Sequence, residues 1–370
     1  MTPVNPYVHG KPLPHDSEMF FGRRSELDNI ISLLSTESPQ DVSIYGERRI
    51  GKSSFVLRAV YRAGFKKNVI VGYLGCNSLK QDTACDSLFQ ILNEKIIHIH
   101  KNDLKNEQAL TNVLQEGKIF DSFSSFQHFI EHQGRGQKVI LFLDEFESLF
   151  KCNFANAIFF NQLRSLADSS SLAYVTVSQK KLKDLTDFPE FHSSPFWNKF
   201  NEIPLGLLDD SDALALKKYG FDKYGITLTD NDLDFIDYYA GNFPFFIQIL
   251  CSHLFNEKVF NSKRDKDKIE SALIDHYKAL WKYRSDEEKV LLKKLIDTPV
   301  NDELTTLSDL KNRGLLIRQD DQFYPFSEFF ARLIRYEFTK EKKKLNWDAI
   351  IKIIRDVLSI GRYFKDLTKK

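Results

Sequence analysis

The sequence predicts an α/β fold: a parallel five-stranded sheet carrying a phosphate-binding loop, followed by a helical lid and a winged-helix domain. Three observations predict it. The stretch Gly46-Glu47-Arg48-Arg49-Ile50-Gly51-Lys52-Ser53 fits the pattern G-x-x-x-x-G-K-[ST]. It lies between a β-branched run at 42–45 and a helix-compatible run at 53–62. Strand and helix signals then alternate as far as residue 205, where the strand signals stop.

In chain order, residues 1–20 hold Pro3, Pro6, Pro12 and Pro14 and read as an extended arm. The core is expected over 21–206, with strands at 42–45, 69–75, 138–143, 172–178 and 202–205. The interval 79–137 is expected to hold two or three helices and a mobile loop around 101–110. A helical lid is expected over 207–285, with helical periods at 210–257 and 264–285. Residues 286–338 read as a winged helix. One helix starts at Asp286, a second covers 305–313, and apolar flanks around Asp320-Asp321 form a hairpin within 315–326. Residues 339–370 form a basic helical tail, with Lys340, Lys342, Lys343 and Lys344 before an amphipathic stretch at 347–358.

The loop's residue types follow from its chemistry. Gly46 and Gly51 let the backbone curl so that its N–H groups, from Glu47 to Ser54, point at phosphate oxygens. A helix starting at the loop adds the positive end of its dipole. Lys52 reaches the β- and γ-phosphates, and the Ser53 hydroxyl binds Mg²⁺. Residues 138–147 form a continuous apolar run ending in acids, the pattern of a strand buried on both faces. Its acids fall at the carboxyl edge of the sheet, where such sheets bind ligands. Asp144 is the second expected Mg²⁺ residue, and Glu145 is the group expected to orient the attacking water. Glu147 reads as a solvated neighbour.

Composition bounds the rest. Apolar residues make up 42% and charged residues 28%, which is ordinary for a globular chain. A net charge of +1 gives no strong field to draw nucleic acid or membrane. The 32 phenylalanines fall mostly in periodic apolar runs and read as core. Cys76, Cys85, Cys152 and Cys251 show no paired spacing, which suits a reducing, cytoplasmic setting. No apolar run is long enough to span a bilayer, and the polar N-terminus is not a signal peptide.

Taken in order, these pieces resemble the STAND-type and archaeal-ATPase branch of the AAA-like P-loop ATPases. The resemblance covers residues 3–338. It rests on the arm at 5–12, the box Phe20-Phe21-Gly22-Arg23-Arg24, the loop at 46–53, the Asp144-Glu145 strand, the strand at 173–178, and Gly241-Asn242-Phe243-Pro244. It implies a P-loop NTPase core that binds and slowly hydrolyses ATP with Mg²⁺. It implies that Phe21, Gly22 and Arg23 border the adenine and ribose, and that Ser178 is a polar sensor. Pro244 would pack on the base from the lid. Arg24 stands where the family has Glu, and the spacing from Gly241 to Pro244 is one residue longer than the family's. The implied role is a nucleotide-controlled switch, acting on a partner protein or a homo-oligomer, in settings that include bacterial stress and phage defence. The alternative is a DNA loader or remodeller using the winged helix.

Further readings narrow this picture. Asn198-Lys199-Phe200-Asn201 lacks the Asp of the guanine-reading element, which favours ATP over GTP. Arg48 and Arg49 can reach phosphate or a neighbouring subunit, or can be solvated. His128-Phe129-Ile130-Glu131-His132 matches a zinc-peptidase pattern. Packing through Phe126, Phe129 and Ile130 would turn both histidines to solvent, so a metal is not expected there. His98 and His100 read as surface residues. Lys311 and Arg313 in the expected recognition segment are set against Asp309, and this near-neutral balance does not favour DNA.

Overall fold

A computed structural model describes residues 3–64, 68–103, 120–133, 137–168, 171–185, 196–260, 266–297, 305–336 and 338. The sheet contains β1 (Val42–Tyr45), β2 (Val69–Gly75), β3 (Lys138–Asp144), β4 (Leu172–Ser178) and β5 (Asn201–Pro204). Their order is β2-β3-β4-β1-β5, and every pairing is parallel. The expected α/β class is therefore correct. β5 starts one residue earlier than the apolar pattern suggests, because Asn201 pairs in register with Val42. Every residue of β1 and β4 is buried, as is all of β3 after Lys138. Helices on both faces explain why these strands read as unbroken apolar runs.

One face carries α1 (Arg24–Ser35) and α2 (Lys52–Gly64), which bury Leu27, Ile30, Phe55 and Ala59. The other carries α3 (Cys85–His98), α4 (Phe123–His128) and α5 (Ala157–Ala167). Here the phenylalanines form a layer of rings, such as Phe89 on Phe126 at 5.2 Å. A capping box between Ser122 and Ser125 starts α4. His128 is exposed, as expected, and the described residues contain no metal-binding cluster. His100 departs from expectation. It is fully buried, and its Nε2 accepts a hydrogen bond from the Val71 amide at 2.9 Å. Residues 99–103 continue α3 as a wider helical turn, which carries His100 under the sheet edge.

The segment expected as a lid contains α6 (Asp210–Asp222), α7 (Asp230–Ala240), α8 (Pro244–Phe260) and α9 (Lys266–Lys282). Thr229 and Asp232 form the box that starts α7, and Gly241 at φ 49° ends it. Pro244 then opens α8, a position where its missing N–H costs nothing. After the lid come α10 (Asp286–Asp297), α11 (Thr305–Asn312), the antiparallel pair β6 (Leu316–Gln319) and β7 (Gln322–Pro325), and α12 (Glu328–Tyr336). Asp320 and Asp321 both have positive φ, at 47° and 61°, as a two-residue hairpin turn requires. The hairpin thus follows two helices, α10 and α11, within the 286–338 segment. Residues 298–304, most of the expected 101–110 loop and the 347–358 helix lie outside the described residues.

Aromatic stacking ties these last elements to the lid. Phe246 of α8 stacks on Tyr277 of α9 at 4.2 Å, and Tyr277 faces Phe326 at 5.9 Å. No helix among the described residues is long and apolar enough to cross a membrane. All four cysteines are free thiols.

Candidate functional site

The register sets the site. Tyr45 at the end of β1 pairs with Ser178 at the end of β4, and Gly75 of β2 pairs with Asp144 of β3. The loop after β1 and the acids after β3 therefore emerge at the same edge. A cavity of about 300 Å³ opens there, at the lower end of the range of about 300–1,000 Å³ typical of small-molecule sites.

The loop has the curled shape its sequence demands. Arg49 is at φ 68° and Gly51 at φ 102°. A Cβ on Gly46 would lie 2.2 Å from the Leu205 carbonyl, so only glycine fits there. α2 begins at Lys52, so its unpaired first-turn amides open into the loop. Lys52 Nζ donates to the carbonyls of Gly46 and Glu47 at 2.8 and 2.9 Å. Burial pushes its pKa down, and the carboxylates of Glu147, Glu47, Asp144 and Glu145 oppose that shift.

Asp144 is 4% exposed and held on both oxygens. Its Oδ2 accepts from the Tyr73 hydroxyl at 3.0 Å, and its Oδ1 accepts from the Glu145 amide at 2.9 Å. Ser53 lines the same cavity. Glu145 has φ 51°, and this left-handed turn leaves its side chain exposed at the cavity mouth. Glu147 is not the solvated neighbour the sequence suggests. It lines the cavity, and its Oε2 is buried without a hydrogen-bond partner. Burial pushes its pKa up.

The opposite end of the cavity is apolar. Phe20, Phe21, Leu208, Leu216, Pro244 and Phe245 line it. Gly22 at φ 73° has no room for a Cβ, which would meet Asp212 Oδ2 at 2.9 Å. Arg23 also lines the cavity, and its guanidinium donates to the carbonyls of Gly206 and Leu207, tying the box to the sheet–lid junction. The arm closes this end by strapping across the lid. The Tyr7 hydroxyl donates to Lys217 O at 2.6 Å, the Val8 amide to Gln248 Oε1 at 3.1 Å, and the Leu13 amide to Ser54 Oγ at 2.9 Å. Val8 to Leu13 and Gln248 all line the cavity, a contribution that the reading of the arm as merely extended did not include.

Three loop residues turn toward the lid or the C-terminal helices. Arg48 lies 6.0 Å from the Tyr283 ring. Arg49 sits 4.3 Å above the Phe245 ring and 2.7 Å from His276 Nδ1. The Glu47 side chain, 1% exposed, faces away from the cavity and pairs with Arg284 and Arg313. Ile50 is likewise buried, close to Gly314.

Ser178 does not reach the cavity. Its hydroxyl is buried and donates to Lys180 O at 2.5 Å, and Gln179 lines the cavity instead. β4 ends at Ser178, and Gln179 begins the bend after it, where the chain leaves the sheet toward the cavity. On the ATPase reading that the resemblance implies, Ser178→Ala is expected to change turnover by less than about twofold, whereas Gln179→Ala lowers it by more. A steady-state phosphate-release assay of both variants checks this.

The donor set suits a magnesium–triphosphate group: one buried ammonium, loop amides, a hydroxyl, a fixed carboxylate, and an orphaned carboxylate oxygen whose repulsion a cation would relieve.

Residues 78–290 match the family described as Novel STAND NTPase 2 (nSTAND2). The match begins after the phosphate loop and includes Asp144 and Pro244. The chain is similar to the Walker-type ATPase paby2304 of Pyrococcus abyssi, with a TM-score of 0.61 and 15% identity, covering 88% of this chain and 98% of that one. It is also similar to the ORC2 protein of Aeropyrum pernix, solved as ADPNP–ADP complexes, with a TM-score of 0.51 and 13% identity over 90% and 97% of the two chains. At these identities the likeness is one of fold. No curated protein matches the chain.

Proposed function

Because the chain belongs to the Novel STAND NTPase 2 family, we propose that it is a cytoplasmic ATPase that works as a nucleotide-controlled switch. One observation carries this reading. Lys52, Ser53, Asp144, Glu145 and Glu147 meet around a single cavity whose far end is apolar.

Lys52 and the loop amides grip the β- and γ-phosphates. Magnesium, held by Ser53 and Asp144, would neutralise charge on the phosphate oxygens. Tyr73 fixes the orientation of Asp144. Glu145 orients a water for in-line attack and accepts its proton, and ADP leaves with the β-phosphate oxygen. The base lies between the arm, Phe21 and the Pro244–Phe245 corner. Only ATP offers a γ-phosphate, so ATP and ADP favour different positions of α8, and that differential affinity shifts the population. Slow turnover keeps the ATP state long-lived. The output passes to a partner protein or to further copies of the chain, a role that the family resemblance extends to bacterial stress or phage defence.

Among the described residues nothing favours the DNA-loader reading. Arg313, one of two bases in the expected recognition segment, is 1% exposed and paired with acids. The test is phosphate release by the purified chain with and without duplex DNA. Slow release that DNA leaves unchanged supports the switch. DNA-stimulated release with salt-sensitive binding supports the loader.

A further inference from the structure

Glu47 belongs to two parts of the molecule at once. Its carbonyl accepts from Lys52 Nζ at 2.9 Å, so its backbone holds the ammonium assigned to phosphate. Its amide donates to the carbonyl of Arg313 at 3.1 Å. Its carboxylate takes a bidentate pair from Arg284 at 2.6 and 2.7 Å and a third bond from Arg313 at 2.8 Å. Glu288 closes the group by accepting from Arg313 Nη2. Arg284 follows α9, Glu288 lies on α10, and Arg313 follows α11. These residues are 237, 241 and 266 positions from Glu47 in the chain. Glu47, Arg284, Glu288 and Arg313 are 1–6% exposed each, and at the edge of the group Asp309 pairs with Arg313 Nε at 2.8 Å. The surrounding fit is close. A Cβ on Gly314 would lie 2.9 Å from Ile50 Cδ1, and one on Gly206 would lie 3.1 Å from Asn312 O.

We infer that Glu47, Arg284, Glu288 and Arg313 form a latch that ties the shape of the phosphate loop to the docking of α10, α11, the β6–β7 hairpin and α12. A buried ion group adds little net stability compared with an apolar one, but losing one member strands a buried charge. The latch is therefore all or none, which suits a two-state joint better than a glue. When Lys52 leaves the two carbonyls for a phosphate, the same residue that anchors the C-terminal helices loses its hold on the ammonium. Phosphate occupancy and docking are then linked, and linkage is reciprocal. The switch reading names no contact between these parts. The linkage rests on that reading, whereas the latch itself does not.

The test is hydrogen exchange of α10, α11 and α12 in the full chain, without nucleotide, with ADP, and with ATP and Mg²⁺. It compares wild type, Glu47→Gln, Arg284→Lys and, as a control outside the latch, Arg318→Ala. Arg284→Lys keeps the charge but loses the fork, so it remains informative if Glu47→Gln does not fold. In wild type, exchange in these helices is expected to change between ADP and ATP. In the latch variants exchange without nucleotide should rise about tenfold, the ADP–ATP difference should vanish, and ADP affinity should shift by a similar factor. Arg318→Ala should behave as wild type. Unchanged exchange in both latch variants overturns the latch. Faster exchange with unchanged nucleotide affinity leaves Glu47 a structural residue and overturns the linkage. A wild type that binds no nucleotide sinks the ATPase reading and the linkage together, while the nucleotide-free exchange still judges the latch.

Discussion

Lys52→Ala is expected to abolish measurable ATP binding. The Lys52 ammonium lies among two carbonyls and, on the cavity side, the carboxylates of Asp144, Glu145 and Glu147. Without it, those acids face a triphosphate with no fixed cation between them. A hydrogen bond to a charged group contributes about 1.5–3 kcal/mol, and the added repulsion takes the loss beyond about a hundredfold in Kd. The fold is expected to survive, because the alanine removes a buried charge and relieves its desolvation. Titration with a fluorescent ATP analogue, alongside a thermal melt, reads both. A Kd within a few-fold of wild type in the folded variant contradicts the assignment.

Glu145→Gln is expected to separate binding from chemistry. Glutamine keeps the size and the acceptor oxygen but cannot take a proton. ATP affinity should hold, and turnover should fall by about a hundredfold or more, the usual contribution of a positioned base. The site contains a built-in comparison. Glu147 stands in the same cavity with a buried, unpartnered oxygen, whereas Glu145 is exposed on a left-handed turn. Glu147→Gln measured in parallel shows which carboxylate accepts the proton. Wild-type turnover in the Glu145 variant would move that role to Glu147.

The sequence is most legible where chemistry or burial constrains consecutive residues. β1, β3 and β4 lie between two helical layers, so their apolar runs carry no helical period and end at the structural boundary to within a residue. The phosphate loop is legible because its curl needs Gly46 and Gly51, and its charge needs Lys52. What was not legible depends on distant parts of the chain. Glu147 looked like one more acid after Asp144, but a turn at Glu145 and a short helix after it fold Glu147 back beside Lys52. Ser178 is the last residue of β4, and the bend that follows it carries Gln179 to the cavity. The arm looked merely extended, and its bonds to α2, α6 and α8 make it a wall of the site. Arg313 read as one of two bases, with Lys311, in the expected recognition segment set against Asp309. The turn after α11 brings it inward to an acid 266 positions away.

The most direct measurement is calorimetric titration of the purified wild-type chain with ATP in magnesium buffer. A saturable heat at one site per chain, lost in Lys52→Ala, is the predicted result. No heat in wild type, or the same heat in the Lys52 variant, would contradict the assignment of this cavity to a triphosphate.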